Sequence, residues 1–160
     1  MTTPLEAVPV RTIDGNSASL ADYAGKVRLV VNVASKCGLT PQYTALEALY
    51  RRYHAQGLEV LGFPANEFGA QEPGTEAEIK AFCSTKYDVT FPMFAKLVVK
   101  GPGQHPLYQL LTEPEHKDVS WNFEKFLIDR QGNRVARFNP QVTPDAEVLV
   151  NAIERELAKA

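Results

Sequence analysis

Two nearly continuous apolar runs, VRLVVNVA at 27–34 and LEVLGFPA at 58–65, constrain this chain more than any other feature. Runs this short, rich in Val and Leu and without polar alternation, suit strands buried on both faces, as in parallel sheets. Between them Tyr43, Leu46, Leu49, Tyr50 and Tyr53 recur at helical spacing, and Gly57 supplies a stop. Thr40 and Pro41 read as an N-cap followed by a proline at the first helical position. Strand, helix and strand in this order predict a βαβ unit with a right-handed crossover and parallel pairing.

On the N-terminal side, VPVRTIDG and SASL flank the turn signal Asp14-Gly15-Asn16 and predict a β-hairpin. Past the βαβ unit, Thr75 with Glu78 forms a capping box, opening a helix with Ile79, Phe82, Cys83 and Tyr87 on one face. FPMFAKLVV at 91–99 predicts another strand, and PLYQLL a short helix beyond the loop KGPGQH. FEKFLID and RVARF pair as a hairpin across Arg130-Gln131-Gly132-Asn133, and an amphipathic helix after Thr143-Pro144 carries Leu149, Ile153 and Leu157. The order ββαβαβ-α-ββα describes an α/β fold, a mixed central β-sheet flanked by helices on both faces. No repeat or linker divides the chain, so its 160 residues are expected to form a single domain over 1–160.

Charge narrows the function. Seventeen Lys and Arg are scattered among nineteen Asp and Glu, so no basic face suggests nucleic acid. The N-terminus lacks the basic-then-apolar pattern of a secretory signal, and no apolar run approaches membrane-spanning length. A cytoplasmic protein without membrane insertion is expected. In that reducing compartment the two cysteines, Cys37 and Cys83, rest as thiols, and a bond between them would be transient and functional. His54, His105 and His116 lack ligand spacing and read as surface residues. Gly101-Pro102-Gly103 has no phosphate-loop context, so neither a metal nor a nucleotide cofactor is expected.

Chemistry points to Cys37. It follows a buried strand, just where ligands and reactions gather in open α/β sheets. Backbone N–H groups, the positive end of the following helix and Lys36 would all favour a thiolate there. A loop position between Lys36 and Gly38 is a poor place to hide a core residue. Thr40 stands where a C-x-x-C pair would have its second cysteine, which disfavours a disulfide-exchange protein. One sulfur without that partner suits attack on a peroxide oxygen to give a sulfenic acid. Breaking the O–O bond places charge on the leaving oxygen, which calls for uncharged N–H donors around the site.

Three separated motifs, NVASKCGLTPQY around Cys37, LGFPANEFGAQEPG at 61–74 and WNFEKFL at 121–127, make the chain resemble the glutathione peroxidases in their cysteine-containing, non-selenium form. The resemblance spans essentially the whole chain and implies a thioredoxin-like fold. It also implies a catalytic group of Cys37, Gln71, Trp121 and Asn122, two amides and an indole that present N–H donors without net charge. Taken singly, Gln71 would read as a loop residue, Trp121 as core packing and Asn122 as a turn residue. Two positions depart from the common FPCNQFG pattern: Ala65 replaces a cysteine, and Glu67 a glutamine whose replacement is expected to face solvent.

Alone, Cys83 reads as a core cysteine. Its segment FCSTKYDVTFP resembles the one carrying the resolving cysteine in the thioredoxin-dependent branch of the family. The resemblance therefore implies hydroperoxide reduction through a Cys37 sulfenic acid, resolution by Cys83, and recycling by thioredoxin, as part of antioxidant defence. A disulfide needs Cα atoms within about 7 Å, so the helix around 76–87 would have to unwind locally. Glutathione acting directly on Cys37 is the alternative reductant, and a peroxide sensor relaying oxidation to a partner protein is a rival of another class. Only PLYQLLTEPEHKDVS precedes Trp121, too short for the assembly loop of tetrameric relatives, so a monomer with an open site is expected.

Overall fold

The first apolar run becomes the central strand of a four-stranded sheet. In the computed structural model, which describes residues 2–159, β3 (Val27–Val33) is buried at every position and pairs in parallel with β4 (Leu58–Pro64). On its other side it pairs antiparallel with β5 (Lys125–Ile128), which pairs in turn with β6 (Arg134–Phe138), giving the order β4-β3-β5-β6. A separate antiparallel hairpin, β1 (Val10–Arg11) and β2 (Ser17–Ala18), lies N-terminal to the sheet.

The pleat of β3 divides the core between two faces. Leu29, Val31 and Val33 pack with Tyr43 and Leu46 of α2 (Gln42–Tyr53), Ile79 and Cys83 of α3 (Glu76–Tyr87), and Leu149 and Ile153 of α5 (Glu147–Leu157). Val30, on the opposite face, packs with Leu5 of α1 (Pro4–Ala7) and with Leu107, Tyr108 and Leu111 of α4 (Pro106–Thr112).

This second face also holds a charge. The guanidinium of Arg28, fully buried, donates to Glu6 at 2.6 Å, to the Leu20 carbonyl at 3.0 Å and to the Asp129 carbonyl at 2.8 Å. Burial alone would raise the Glu6 carboxyl, but the Arg28 bond prevails and holds it below the ordinary range. Helix α1, unforeseen in the sequence, exists to deliver this carboxylate. Thr3 and Glu6 form its capping box with Pro4 at the first helical position.

Several expectations are corrected. Residues 91–99 form no regular strand; Met93 bridges Gly62 and Phe94 bridges Thr12. Pro92 has no N–H to give, and the segment serves two neighbours in turn. The Ala95 amide donates to Arg11 and the Leu97 amide to Pro64. Thr40 does not cap α2, whose N-cap is Pro41; its hydroxyl is used elsewhere, as described below. A turn at 143–146 precedes α5, which is capped at Ala146 rather than opening at Thr143-Pro144. His105 is half-buried as the N-cap of α4, accepting from the Leu107 amide, rather than free on the surface. No helix among the described residues is long and apolar enough to cross a membrane.

Candidate active site

Topology gathers three loops at one end of β3. The parallel strand β4 ends where β3 ends, so residues 65–74 emerge beside residues 34–41. The antiparallel strand β5 begins there, so residues 121–124 arrive at the same place from the opposite direction. Segments remote in sequence are thereby brought against Cys37.

The cysteine loop is tied by Thr40. Its hydroxyl donates to the Ala34 carbonyl at 2.8 Å and accepts from the Cys37 amide at 2.9 Å. Cys37 is 8% exposed, and its Sγ accepts two N–H donors, the Leu39 amide and Trp121 Nε1, each at 3.3 Å. The Trp121 ring is backed by Phe68, with ring centroids 5.4 Å apart. Lys36 is exposed, and its charge falls on Glu78 at the start of α3.

Gln71 is presented by a tight reversal in which Gly69 and Ala70 both take left-handed backbone angles, φ 67° and 52°. Its carbonyl accepts from the Lys36 amide at 3.0 Å, which fastens this loop to the cysteine loop. Its side-chain oxygen accepts from Asn122 Nδ2 at 3.1 Å. Asn122 is fully buried, and its own Oδ1 has no hydrogen-bond partner among the described residues. Gln71 thus joins the group through Asn122, while Trp121 reaches the sulfur directly.

A residue given no role in the sequence reading, Asn32, holds the third loop. Buried in β3, it donates from Nδ2 to the Trp121 carbonyl at 3.0 Å and accepts at Oδ1 from the Glu124 amide at 3.2 Å. Its backbone carbonyl accepts from the Phe123 amide at 2.6 Å. Between these bonds Phe123 is held at φ 68°, a costly angle for a bulky side chain. The signal in the sequence was one amide in a strand whose other residues, Arg28 apart, are apolar. Lys125 adds a further tie, donating from β5 to Gln42 Oε1 at 2.6 Å at the start of α2. Burial draws Lys125 down to about 7, with the Glu124 charge opposing.

Glu67 does not simply face solvent. Its carboxylate accepts from the Val99 amide at 2.8 Å and is spent on that loop. The carboxylate that matters nearby is Glu72, 1% exposed, accepting from the Ser35 amide at 3.2 Å. Cys83 lies in the middle of α3, 2% exposed, in the same core cluster as Cys37. Burial pushes its thiol up to about 11.

The loop at the end of β3 thus presents a single sulfur to an indole N–H, at the place where ligands gather in sheets of this kind. Residues 5–112 match the family model described as glutathione peroxidase, and the chain belongs to that family. It is 54% identical to the hydroperoxy fatty acid reductase Gpx2 of Synechocystis, over 91% of this chain and 94% of that protein. It is 45% identical to the thioredoxin/glutathione peroxidase BtuE of Escherichia coli, over 94% of this chain and 95% of that one. Among solved structures, the crystal structure of Trgpx in apo form superposes with a TM-score of 0.79 at 36% identity, covering 99% and 98% of the two chains. A thiol:disulfide interchange protein from Chlorobium tepidum, at 18% identity and TM-score 0.72, shares the thioredoxin fold alone.

Proposed function

We propose that this peroxidase reduces hydrogen peroxide and organic hydroperoxides, fatty acid hydroperoxides among them, by a two-cysteine cycle. The observation that carries the reading is the pair of N–H donors, from Leu39 and Trp121, converging on Cys37 Sγ. An anionic sulfur attacks the terminal peroxide oxygen. The S–O bond forms as the O–O bond breaks, and the departing oxygen takes a proton to leave as alcohol or water. Trp121 and the Gln71–Asn122 amide pair are assigned to steadying charge as it moves from sulfur to oxygen.

Cys83 then condenses with the Cys37 sulfenic acid, and a thioredoxin-type dithiol reduces the resulting disulfide. Two features support this step. Only Ile79 and Cys83 are fully buried in α3, so little apolar burial opposes local unwinding. The name of the Escherichia coli relative couples thioredoxin with glutathione as reductants. Half-buried Trp121, Gln71 and Leu39 leave the mouth open to bulky substrates. The short 106–120 segment fits a monomer, working in the cytoplasm as part of the response to oxidative stress.

The burial of Cys83 is the one observation favouring direct reduction of Cys37 by glutathione. Peroxide consumption by wild type, Cys37→Ser and Cys83→Ser, each with thioredoxin or glutathione, separates the two routes. Loss of thioredoxin-linked turnover in both variants is the expected result. Full activity of Cys83→Ser with glutathione alone would replace the two-cysteine cycle by the one-cysteine route, and activity of Cys37→Ser would remove the assignment altogether.

A further inference from the structure

The segment that carries Trp121 to the sulfur is held by a carboxylate with no bond to the sulfur itself. Glu124 is 2% exposed, and both of its oxygens are engaged. Oε1 accepts from the Ser120 amide at 3.1 Å and from the Ser120 hydroxyl at 2.9 Å. Oε2 accepts from Arg137 of β6, from Nε at 2.7 Å and from Nη2 at 2.6 Å. The bonds to Ser120 close the chain on itself over residues 120–124, and Trp121 follows directly on the residue that is tied.

Arg137 extends this hold upstream. Its Nη2 donates to the Asp118 carbonyl at 3.0 Å and its Nη1 to Glu115 at 3.1 Å. Its guanidinium lies 4.9 Å from the centre of the Phe126 ring, and its backbone faces Phe126 across the β5–β6 ladder. The run from 115 to Trp121 is thereby fixed to the sheet. An exposed ion pair would contribute little to such a task. Here the two side chains are only 13% and 3% exposed, and the carboxylate oxygen takes two guanidinium donors, which makes the pair directional and strong.

Asn32 holds Trp121 from the other direction, through its carbonyl. That bond fixes where the residue sits and leaves the approach of the chain at Ser120 to Glu124. Precision matters at this point, because the indole N–H meets Cys37 Sγ at 3.3 Å. A misplacement of about 1 Å, caused by a change remote from the chemistry, can cost on the order of a hundredfold in rate.

We infer that Glu124, anchored by Arg137, is a positioning residue for peroxide reduction, setting the backbone at Ser120 so that the Trp121 N–H reaches Cys37 Sγ. The inference rests on the role given to Trp121 above, and Glu124 acts only through that residue.

The test reads two quantities in the full chain. One is the rate of Cys37 oxidation by hydrogen peroxide in a single turnover. The other is the change in emission of Trp121, the only tryptophan in the chain, when the sulfur beside it is oxidised. Glu124→Gln offers one acceptor oxygen where the site uses two, so it must give up Ser120 or Arg137. It is expected to slow oxidation roughly tenfold, less than a full misplacement because Asn32 still holds, and to diminish the emission change. In a Trp121→Phe background the same substitution is expected to slow oxidation no further. Further slowing there, or an unchanged rate and emission in Glu124→Gln alone, overturns the inference. If Glu124→Gln does not fold, Ser120→Ala reads the same tie from an exposed position by removing the hydroxyl donor. A smaller loss that vanishes with Trp121→Phe is expected; a loss that persists there, or no loss at all, overturns the inference. Oxidation of Trp121→Phe at the wild-type rate overturns the role of Trp121 itself, a distinct outcome.

Discussion

The indole N–H of Trp121 donates to Cys37 Sγ across 3.3 Å, joining residues 84 positions apart in the chain. The bond exists because β5 runs antiparallel to β3 and delivers its leading residues to the end of β3 where the sulfur lies. Trp121→Phe removes the donor and keeps a ring to pack on Phe68. Oxidation of Cys37 by hydrogen peroxide in a single turnover is expected to slow by roughly a hundredfold, as when one donor to a developing charge is lost. An unchanged rate would assign Trp121 to packing alone.

Asn32 is expected to matter as much for stability as for activity. Asn32→Ala leaves the Trp121 carbonyl and the Glu124 amide without their side-chain partners inside the protein. The expected loss is about 2–4 kcal/mol in denaturant unfolding, with peroxidase activity falling further than the folded fraction does. The second part is diagnostic. A residue that merely filled space would lower stability and leave the folded molecules fully active.

Much of this was legible in the sequence because local chemistry and global topology agreed there. The two apolar runs became β3 and β4, the Thr75 capping box opened α3, and the 130–133 turn joined β5 to β6. What stayed hidden depended on where polar groups send their bonds. Thr40 looked like a helix cap but spends its hydroxyl on the Cys37 loop. Residues 91–99 had the composition of a strand, yet Pro92 and two competing neighbours break the ladder. Glu6 and Glu72 carried no signal in the sequence, and only the folded chain shows both buried, Glu6 paired with Arg28. Of the site, Cys37 was marked by position alone, whereas Gln71, Trp121 and Asn122 came from the family resemblance. Asn32 was passed over because one amide within a β-strand carries no pattern.

The raised pKa of Cys83 makes a pH prediction whose sign is fixed. Burial pushes the thiol to about 11, above the roughly 8.5 of an unfolded cysteine. Between those values the unfolded chain has released this proton and the folded chain still holds it. Stability from burying the neutral thiol is thus complete below the lower value and is lost as pH rises through the upper one. Wild type should lose about 3 kcal/mol relative to Cys83→Ala across that window, measured as the difference between their unfolding free energies. A difference independent of pH would mean that the thiol ionises as freely in the folded protein as in the unfolded one.

The same helix should trade stability for speed. The Thr75 hydroxyl accepts from the Glu78 amide at 3.2 Å, and Glu78 returns the bond to the Thr75 amide at 3.1 Å, closing the first turn of α3. Thr75→Ala removes this cap at a cost of about 1 kcal/mol. Because so little of α3 is buried, that loss should fall mainly on local opening rather than on global unfolding. A shift of that size raises the opened population about fivefold. If resolution waits on opening, Cys37–Cys83 linkage after a peroxide pulse should accelerate by the same factor, though the protein is weaker. Oxidation of Cys37, which needs no opening of α3, should keep its rate. Linkage that is slower or unchanged in Thr75→Ala would place the barrier in the chemistry of sulfur exchange, with α3 opening already faster than the reaction it admits.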